Sequence, residues 1–466
     1  MNWQKYVTSL RVASLALVGS IVVHSSVLSE NLADALVGAY ENSGLLEQNR
    51  ALLRAADEDV AGSLTALRPI LDFSTGLSRT LNNSAPDMTS RDLNLTANWL
   101  LWDNNRAELS IQAAKETVLA TRASLLSIEQ QVLFRAVKAY MDVIRSKEFV
   151  ALRQSNVRLL QEELRAAQDR FDVGEVTRTD VALAEARLAQ ARSNLATEQG
   201  NLENMRQEYR AAVGREPGTL RPPPSLPARP TSIADAQSVA VRSHPDIQMA
   251  QHQLAAAEKS VHFARASLGP TLSFQSRLSS IHSDMSQFER DNATVALNFS
   301  QRLYQGGALS SRLRRVIASR DGARANLLTV QKRIRQNVAS AMVRFNVAEA
   351  NIEASERQVS AAEVAFRGVR EEASLGARTT LDVLDAEQEL LDAKANLIAA
   401  QSELNVASYQ ILVSQGSLTV ANLGLGVEIY DPNAYYERVK DAPALWSERG
   451  RQPDRLLQNL DQEQGN

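Results

Sequence analysis

Two short segments combine glycine, threonine and charged side chains in a closely related order. One reads V-G-E-V-T-R-T-D over residues 173–180, and the other reads L-G-A-R-T-T-L-D over residues 375–382. Gly174 and Gly376 suit the left-handed conformation that often ends a helix. A threonine that follows can cap the next helix, and the candidates are Thr179, Thr379 and Thr380. Both segments are therefore predicted to be tight turns between two helices.

Helix capping does not account for the charged residues of the second segment. Asp382 and Asp385 are three residues apart, which places them one turn apart on one face of a helix, and Arg378 precedes them. Around the axis of an oligomer, such residues form rings. Rings of carboxylates select cations, and an Arg–Asp link between neighbouring copies holds a constriction shut. The alternative interpretation, solvated surface charge, stays open at this point.

The two segments belong to a duplication that spans the chain. The sequence Leu-Ala-Asp-Ala around Asp34 returns as Ile-Ala-Asp-Ala around Asp235, and 235 − 34 gives an offset of 201. Further along, Gly174 returns as Gly376, and 376 − 174 gives 202. An offset held over this length indicates one structural unit duplicated in tandem.

Each unit is predicted to fold as a helix, two strands and two long helices joined by one of the turns. The first helix is expected over about residues 31–65. Alternating apolar and polar residues indicate strands, most clearly over 93–99 and 293–300. Residues 105–172 contain neither Pro nor Gly, enough for ~100 Å of helix. The helix after the second turn has an unbroken heptad seam over 383–411, which is typical of coiled coils.

Four strands are too few to close a barrel, since small closed barrels have about eight. The free edges of such a sheet must pair, and the obvious partner is another copy of the chain. The fold class is therefore mainly α with a small β part, built from tandem helix–strand–strand–helical hairpin units.

The ends and the middle of the chain differ from the repeats in composition. The predicted parts are an export signal (1–29), a first repeat (30–214), a Pro-rich connector (215–231), a second repeat (232–423) and a C-terminal segment with a polar tail (424–466). Lys5 and Arg11 precede an apolar run too short to span a membrane comfortably, as in a cleaved signal. The connector is expected to be stiff and extended, and the tail after Glu448 to be disordered.

Composition excludes several classes of function. The net charge of −3 provides no basic field for nucleic acid, and the absence of cysteine excludes disulfides, thiolate metal sites and a cysteine nucleophile. The five histidines do not converge, and no phosphate loop, nucleophile elbow or HExxH helix is present. We therefore expect no enzyme, no cofactor and no metal site. A soluble periplasmic coiled-coil adaptor or scaffold stays open as an alternative.

The order of elements and the paired turn motifs resemble the TolC family of outer-membrane efflux proteins. The motifs are V-G-x-x-x-x-T-D-V at 173–181 and L-G-A-R-T-T-L-D-V-L-D-A at 375–386. The resemblance extends from about Glu30 to Leu423. The C-terminal stretch from Ile429 to Tyr436 is similar to tails in the branch that serves type I secretion.

This resemblance implies a homotrimer with a 12-stranded β-barrel in the lipid of the outer membrane and a long α-helical barrel in the periplasm. It implies a passive exit duct for efflux or for type I protein secretion. The duct would dock to a periplasmic adaptor (membrane fusion) protein and to an inner-membrane ABC or proton-driven transporter. Neither nucleic acid nor a cofactor is implied.

The resemblance also implies roles for residues of the turns. Arg378 matches an arginine that ties neighbouring helices together through an aspartate, and that aspartate matches Asp180, with Thr179 beside it. Two further aspartates of the family form entrance rings that bind cations, and they match Asp382 and Asp385. These five residues are the expected gate at the periplasmic entrance.

Two other positions follow from the same resemblance. Pro69 and Pro270 match the bend at which the helical tunnel meets the barrel. Ala373 departs from the pattern, because some members have a tyrosine three positions before the turn glycine. One link of the gate is therefore absent, and closure is expected to be looser.

Overall fold

The computed structural model describes most of the chain. The described residues are 29–81, 87–223, 226–284, 290–443, 447–452 and 455. The predicted export signal lies outside this part except for Ser29, and so does most of the polar tail after Glu448. The boundaries of the five predicted parts stay predictions.

The two halves contain the same elements in the same order, which confirms the predicted architecture. The first half consists of β1 (Ser29–Glu30), α1 (Leu32–Asn42), α2 (Gly44–Leu64), β2 (Ile70–Thr80), β3 (Met88–Trp102), α3 (Arg106–Asp172) and α4 (Arg178–Val213). The second consists of β4 (Thr219–Leu220), α5 (Ile233–Ser243), α6 (Pro245–Ala266), β5 (Thr271–Ser283), β6 (Arg290–Ser300), α7 (Ala308–Ser374) and α8 (Thr380–Gln415). The short helices α9 (Val420–Leu423) and α10 (Ala434–Val439) follow.

The long helices repeat in length as well as in order. Helices α3 and α7 each have 67 residues, and α4 and α8 each have 36. At 1.5 Å per residue, a 67-residue helix extends ~100 Å. The pairs α3–α4 and α7–α8 form two helical hairpins, here called the first and the second hairpin.

The leading helix, predicted to be continuous over residues 31–65, is instead two helices. They meet at Ser43, whose backbone is extended and whose hydroxyl accepts a hydrogen bond from the Leu46 amide at 3.3 Å. In the second half His244 has the corresponding extended backbone before Pro245, the first residue of α6. A capping side chain and a proline at the first helical position each start a new helix. The break therefore occurs in both copies.

Strands β2, β3, β5 and β6 form one antiparallel sheet in that order. One face carries the apolar residues, as the alternation predicted; a row across all four strands contains Phe73, Leu95, Leu278 and Ala293. In the single chain this face is open, and Phe73 is 70% exposed. Large exposed apolar areas mark surfaces that contact other proteins or membranes.

Among the described residues, no helix combines the length and the apolar character needed to cross a membrane.

Pro69 and Pro270 lie directly before β2 and β5, where the chain passes from helix to strand. Proline restricts the residue before it to extended backbone, and Arg68 is extended there (φ −103°, ψ 152°). The position agrees with the expected bend, whose role stays a prediction.

The connector contains a short strand that its composition did not predict. Residues of β4 pair in parallel with β1, and the Glu30 carboxylate accepts hydrogen bonds from the Tyr209 hydroxyl at 2.6 Å, from Arg215 at 2.7 Å and from the Gly218 amide at 3.1 Å. These contacts hold the connector, which leads into the second half, against the first residues of the first half.

Candidate functional site

The two hairpin turns lie side by side at the end of the helices opposite the sheet. They enclose an open cleft of about 590 Å³ that residues of both turns line. Asp180 and Arg378, from the first and the second turn, both lie on this cleft. The structure therefore places on one cleft the two residues that the family resemblance pairs.

Glycine is required in each turn by conformation and not by space. Gly174 has φ +81° and Gly376 has φ +79°, in the left-handed region that other residues rarely adopt. A Cβ added at either position would meet no atom within 4 Å. The predicted left-handed glycines are confirmed.

The prediction that Thr179 caps α4 is wrong. Thr177 is the capping residue, and its hydroxyl accepts a hydrogen bond from the Asp180 amide at 3.3 Å. Asp180 Oδ2 in return accepts from the Thr177 amide at 2.9 Å. Such a reciprocal cap needs an acceptor side chain three residues after the threonine, and the residue at that distance from Thr179 is Ala182. Thr179 lies exposed within the first turn of α4.

The second turn has the same cap, which selects one of the two threonines predicted there. Thr379 caps α8: its hydroxyl accepts from the Asp382 amide at 3.2 Å, and Asp382 Oδ2 accepts from the Thr379 amide at 2.9 Å. Asp180 and Asp382 are thus equivalent residues of the two repeats, since 382 − 180 gives 202. Thr380 is the first residue of the helix.

The caps also fix the charge of the two aspartates. Hydrogen bonds from the side chain and the backbone of Thr177 hold the pKa of Asp180 below its usual value. Hydrogen bonds from Thr379, with a smaller effect of Arg378, lower the pKa of Asp382. Both carboxylates are therefore ionised at neutral pH.

Arg378 has a partner within its own chain that sequence analysis missed. Its Nε donates to Glu372 Oε2 at 2.8 Å, at the end of α7. The pair is exposed, with about half of each side chain accessible. Arg378 thus lies on the cleft with Asp180 while bound to Glu372, and a link to Asp180 of a neighbouring chain stays a prediction.

Asp385 also has a partner from the other hairpin. Arg187 of α4 donates to Asp385 Oδ1 at 2.9 Å. Asp385 was expected to form an entrance ring that binds cations together with Asp382, and that role stays a prediction. Within one chain, Asp382 takes part in the cap of α8 and the charge of Asp385 faces a guanidinium.

Apolar residues join the two hairpins just behind the turns. Leu384 of α8 is buried against Leu160 and Leu188 of the first hairpin. Ala373 is buried against Val383 within the second hairpin. Ala373, where some family members have a tyrosine, thus contributes only a methyl group to this apolar contact.

A buried polar contact lies further from the turns. Asn156 Nδ2 of α3 donates to Glu387 Oε1 of α8 at 2.6 Å. Their exposures are 8% and 5%, and burial raises the pKa of Glu387 to about 7. Sequence analysis did not identify these residues. The sequence signal that could have identified Glu387 is its place directly after Ala386, a residue of the heptad seam.

Comparison with known families gives one match that covers most of the chain. A family model described as outer membrane efflux protein matches residues 36–215 and 237–417. The two matched segments lie one in each half of the chain. They include both hairpin turns.

Two individual proteins are similar over most of their length. The chain is 34% identical over 433 residues to the outer membrane efflux protein BepC of Brucella suis biovar 1 (strain 1330), which covers 92% of this chain and 94% of BepC. It is 27% identical over 401 residues to the proteases secretion protein PrtF of Dickeya chrysanthemi, covering 77% of this chain and 84% of PrtF.

Solved structures show the same fold. The structure of CusC, a protein that forms a transmembrane channel, superposes with a TM-score of 0.74 at 18% identity. The superposition covers 83% of this chain and 92% of the CusC chain. The tandem arrangement of strands and helical hairpins therefore has a precedent among solved structures.

Proposed function

The chain belongs to the outer membrane efflux protein family, and we propose that its two hairpin turns form the gate of a passive exit channel. As a member of this family it is an outer-membrane channel for efflux or secretion, with its helices in the periplasm. The alternative of a soluble adaptor or scaffold finds no support in the family match. Because the family consists of channels, transport is the proposed activity and catalysis is not.

The proposed assembly is a homotrimer. Strands β2 and β6 are the outer strands of the sheet, and three chains joined edge to edge supply 3 × 4 = 12 strands in one closed sheet. Joining copies removes the unpaired edges, which otherwise favour aggregation. The open apolar face of the sheet then faces lipid, and the six hairpins surround one periplasmic tunnel.

The gate is proposed from the position of Asp180 and Arg378 on one cleft at the tip of the hairpins. Arg378 of one chain would bind Asp180 of the next, with Thr179 beside it as a further acceptor. An arginine with five donors can contact a carboxylate and a hydroxyl together. Asp382 and Asp385 would line the entrance just inside this link and interact with cations.

Energy and cargo would come from partners. The proposed partners are a periplasmic adaptor and an inner-membrane transporter, either of the ABC type or driven by protons. The relatives carry names for efflux, as in BepC, and for secretion of proteases, as in PrtF. The choice of cargo would therefore lie with the transporter and not with the channel.

Conductance in planar lipid bilayers tests the gate. Arg378→Ser and Asp180→Ala should each raise the single-channel conductance of the purified trimer, because each removes one side of the proposed link. Arg178→Ser is the matched control, since it removes an exposed arginine from the other turn. Unchanged conductance in both gate variants would overturn the assignment.

A further inference from the structure

Three polar contacts join the first hairpin to the second above the turns. They are Asn156–Glu387 at 2.6 Å between α3 and α8, Glu163–Arg370 at 3.2 Å between α3 and α7, and Arg187–Asp385 at 2.9 Å between α4 and α8. Each contact connects elements of different hairpins, so none survives unchanged if the hairpins move relative to one another.

The contact between Asn156 and Glu387 differs from the other two in its burial. Both of its side chains are buried within one chain, whereas the side chains of Arg187 and Asp385 are 43% and 59% exposed. Neighbouring copies can only increase the burial of Glu387. Among the residues that the structure describes, Glu387 has one hydrogen-bond donor, the neutral amide of Asn156, and an ionised carboxylate in such a place is unfavourable.

The contact lies directly behind the apolar junction of the hairpins. Glu387 follows Leu384 by three residues on α8, and Asn156 precedes Leu160 by four residues on α3. Leu384 is 2% exposed and packs against Leu160 and Leu188. The carboxyl of Glu387 therefore becomes fully solvated only if α8 and α3 separate at this level, since it is 5% exposed in the packed hairpins.

We propose that Glu387, held by Asn156, is a positioning residue of the gate: its neutral form keeps the hairpins packed together, and its ionisation loosens them. The inference rests on the proposed function, in which the turns at the end of these hairpins close the channel. Movement of Glu387 away from Asn156 would carry the second turn away from the first.

The charges around Glu387 set the direction of the pH dependence. The pKa of Glu387 is raised from 4.5 to about 7 in all: desolvation raises it most and Glu163 also raises it, while the Asn156 hydrogen bond, Arg370 and Arg187 lower it. Asp385 on the same helix is paired with Arg187. In separated hairpins the carboxyl is solvated and has its ordinary pKa. The packed state is thus fully favoured below pH 4.5 and is disfavoured progressively as the pH rises from 4.5 to about 7.

The absence of cysteine allows a direct measurement of this movement. Spin labels at Val173→Cys and Leu375→Cys would report the separation of the turns, since these side chains are 71% and 85% exposed. Full-length trimers with an excess of unlabelled chain carry one labelled pair each. Pulsed electron paramagnetic resonance between pH 5 and pH 8 should show a shift to longer distances up to about pH 7.

Glu387→Gln should keep the pH 5 distance at every pH, because the amide preserves the shape and the acceptor but never ionises. Glu389→Gln, an exposed residue of the same helix, is the control and should retain the shift. Asn156→Ala removes the donor and should lengthen the distance already at pH 5. A parent protein without any shift, or a Glu387→Gln variant with the parent's shift, would refute the proposal.

The distance measurement and the conductance measurement can refute the role of Glu387 and the gate assignment separately. If conductance responds to Arg378→Ser but the distance shift does not depend on Glu387, the gate stands and the role of Glu387 is refuted. If conductance is unchanged in both gate variants while the Glu387-dependent shift is present, the gate at the turns is refuted and the movement of the hairpins stands.

Discussion

Arg378 Nε donates to Glu372 Oε2 at 2.8 Å, so the arginine of the proposed gate is already paired within its own chain. About half of each side chain is accessible. Exposed ion pairs contribute little net stability. Arg378 can therefore exchange Glu372 for a carboxylate of a neighbouring chain without a large loss, and Glu372 competes with the gate.

Glu372→Gln should make the closed channel tighter. The substitution removes the competing charge, so Arg378 is more often available to Asp180 of the next chain, and openings recorded in planar bilayers should become rarer. The double variant Glu372→Gln with Arg378→Ser should behave like Arg378→Ser alone. Glu371→Gln, at the neighbouring residue, which is also exposed, should have no effect. More frequent openings in Glu372→Gln would contradict competition.

The cap and the gate can be separated at Asp180. Asp180→Asn removes the charge but keeps an oxygen that can accept from the Thr177 amide, whereas Asp180→Ala removes both. Both variants should raise conductance, and only Asp180→Ala should also lower the melting temperature measured by circular dichroism. Asp382→Asn and Asp382→Ala should differ in the same way in stability. A large loss of stability in Asp180→Asn would show that the cap of α4 requires the negative charge of Asp180, so the two roles could not be separated.

The sequence predicts the elements well because their signals are local. The offset between Gly174 and Gly376, the lack of Pro and Gly over 105–172 and the alternation over 93–99 each identify an element without knowledge of its neighbours. The Thr-x-x-Asp pattern was equally local, and attention to it would have placed the cap at Thr177 instead of Thr179. The break at Ser43 also had a local signal in the Ser-Gly pair.

The partners of the charged residues could not be predicted in this way. Arg187 and Asp385 are 198 residues apart, and Asn156 and Glu387 are 231 apart. Which helix faces meet depends on how the two hairpins pack, and the heptad seams specify packing only within each hairpin. The pairing of Asp385 with Arg187 was therefore beyond the reach of sequence reasoning.

Arg187 should reduce the cation selectivity of the entrance. Its guanidinium lies 2.9 Å from Asp385 and offsets a charge that would otherwise attract cations. Arg187→Gln should shift the reversal potential in a potassium chloride gradient toward cation selectivity, and Asp385→Asn should shift it the opposite way. Arg192→Gln, at an exposed position of the same helix, serves as the control. Equal shifts in both arginine variants would mean that general surface charge, and not this pair, sets selectivity.

Alanine at the turn glycines should destabilise the protein through backbone strain alone. Gly174 and Gly376 have φ near +80° with open space around them, so the cost of a Cβ is that of the left-handed conformation, ~1–2 kcal/mol at each site. Gly200 offers a matched control, because it lies in α4 with equally open surroundings and ordinary helical backbone. Gly200→Ala should stabilise the protein by ~0.5–1 kcal/mol. Denaturant unfolding compares the three variants, and a stable Gly174→Ala would show that the turn can adopt another conformation.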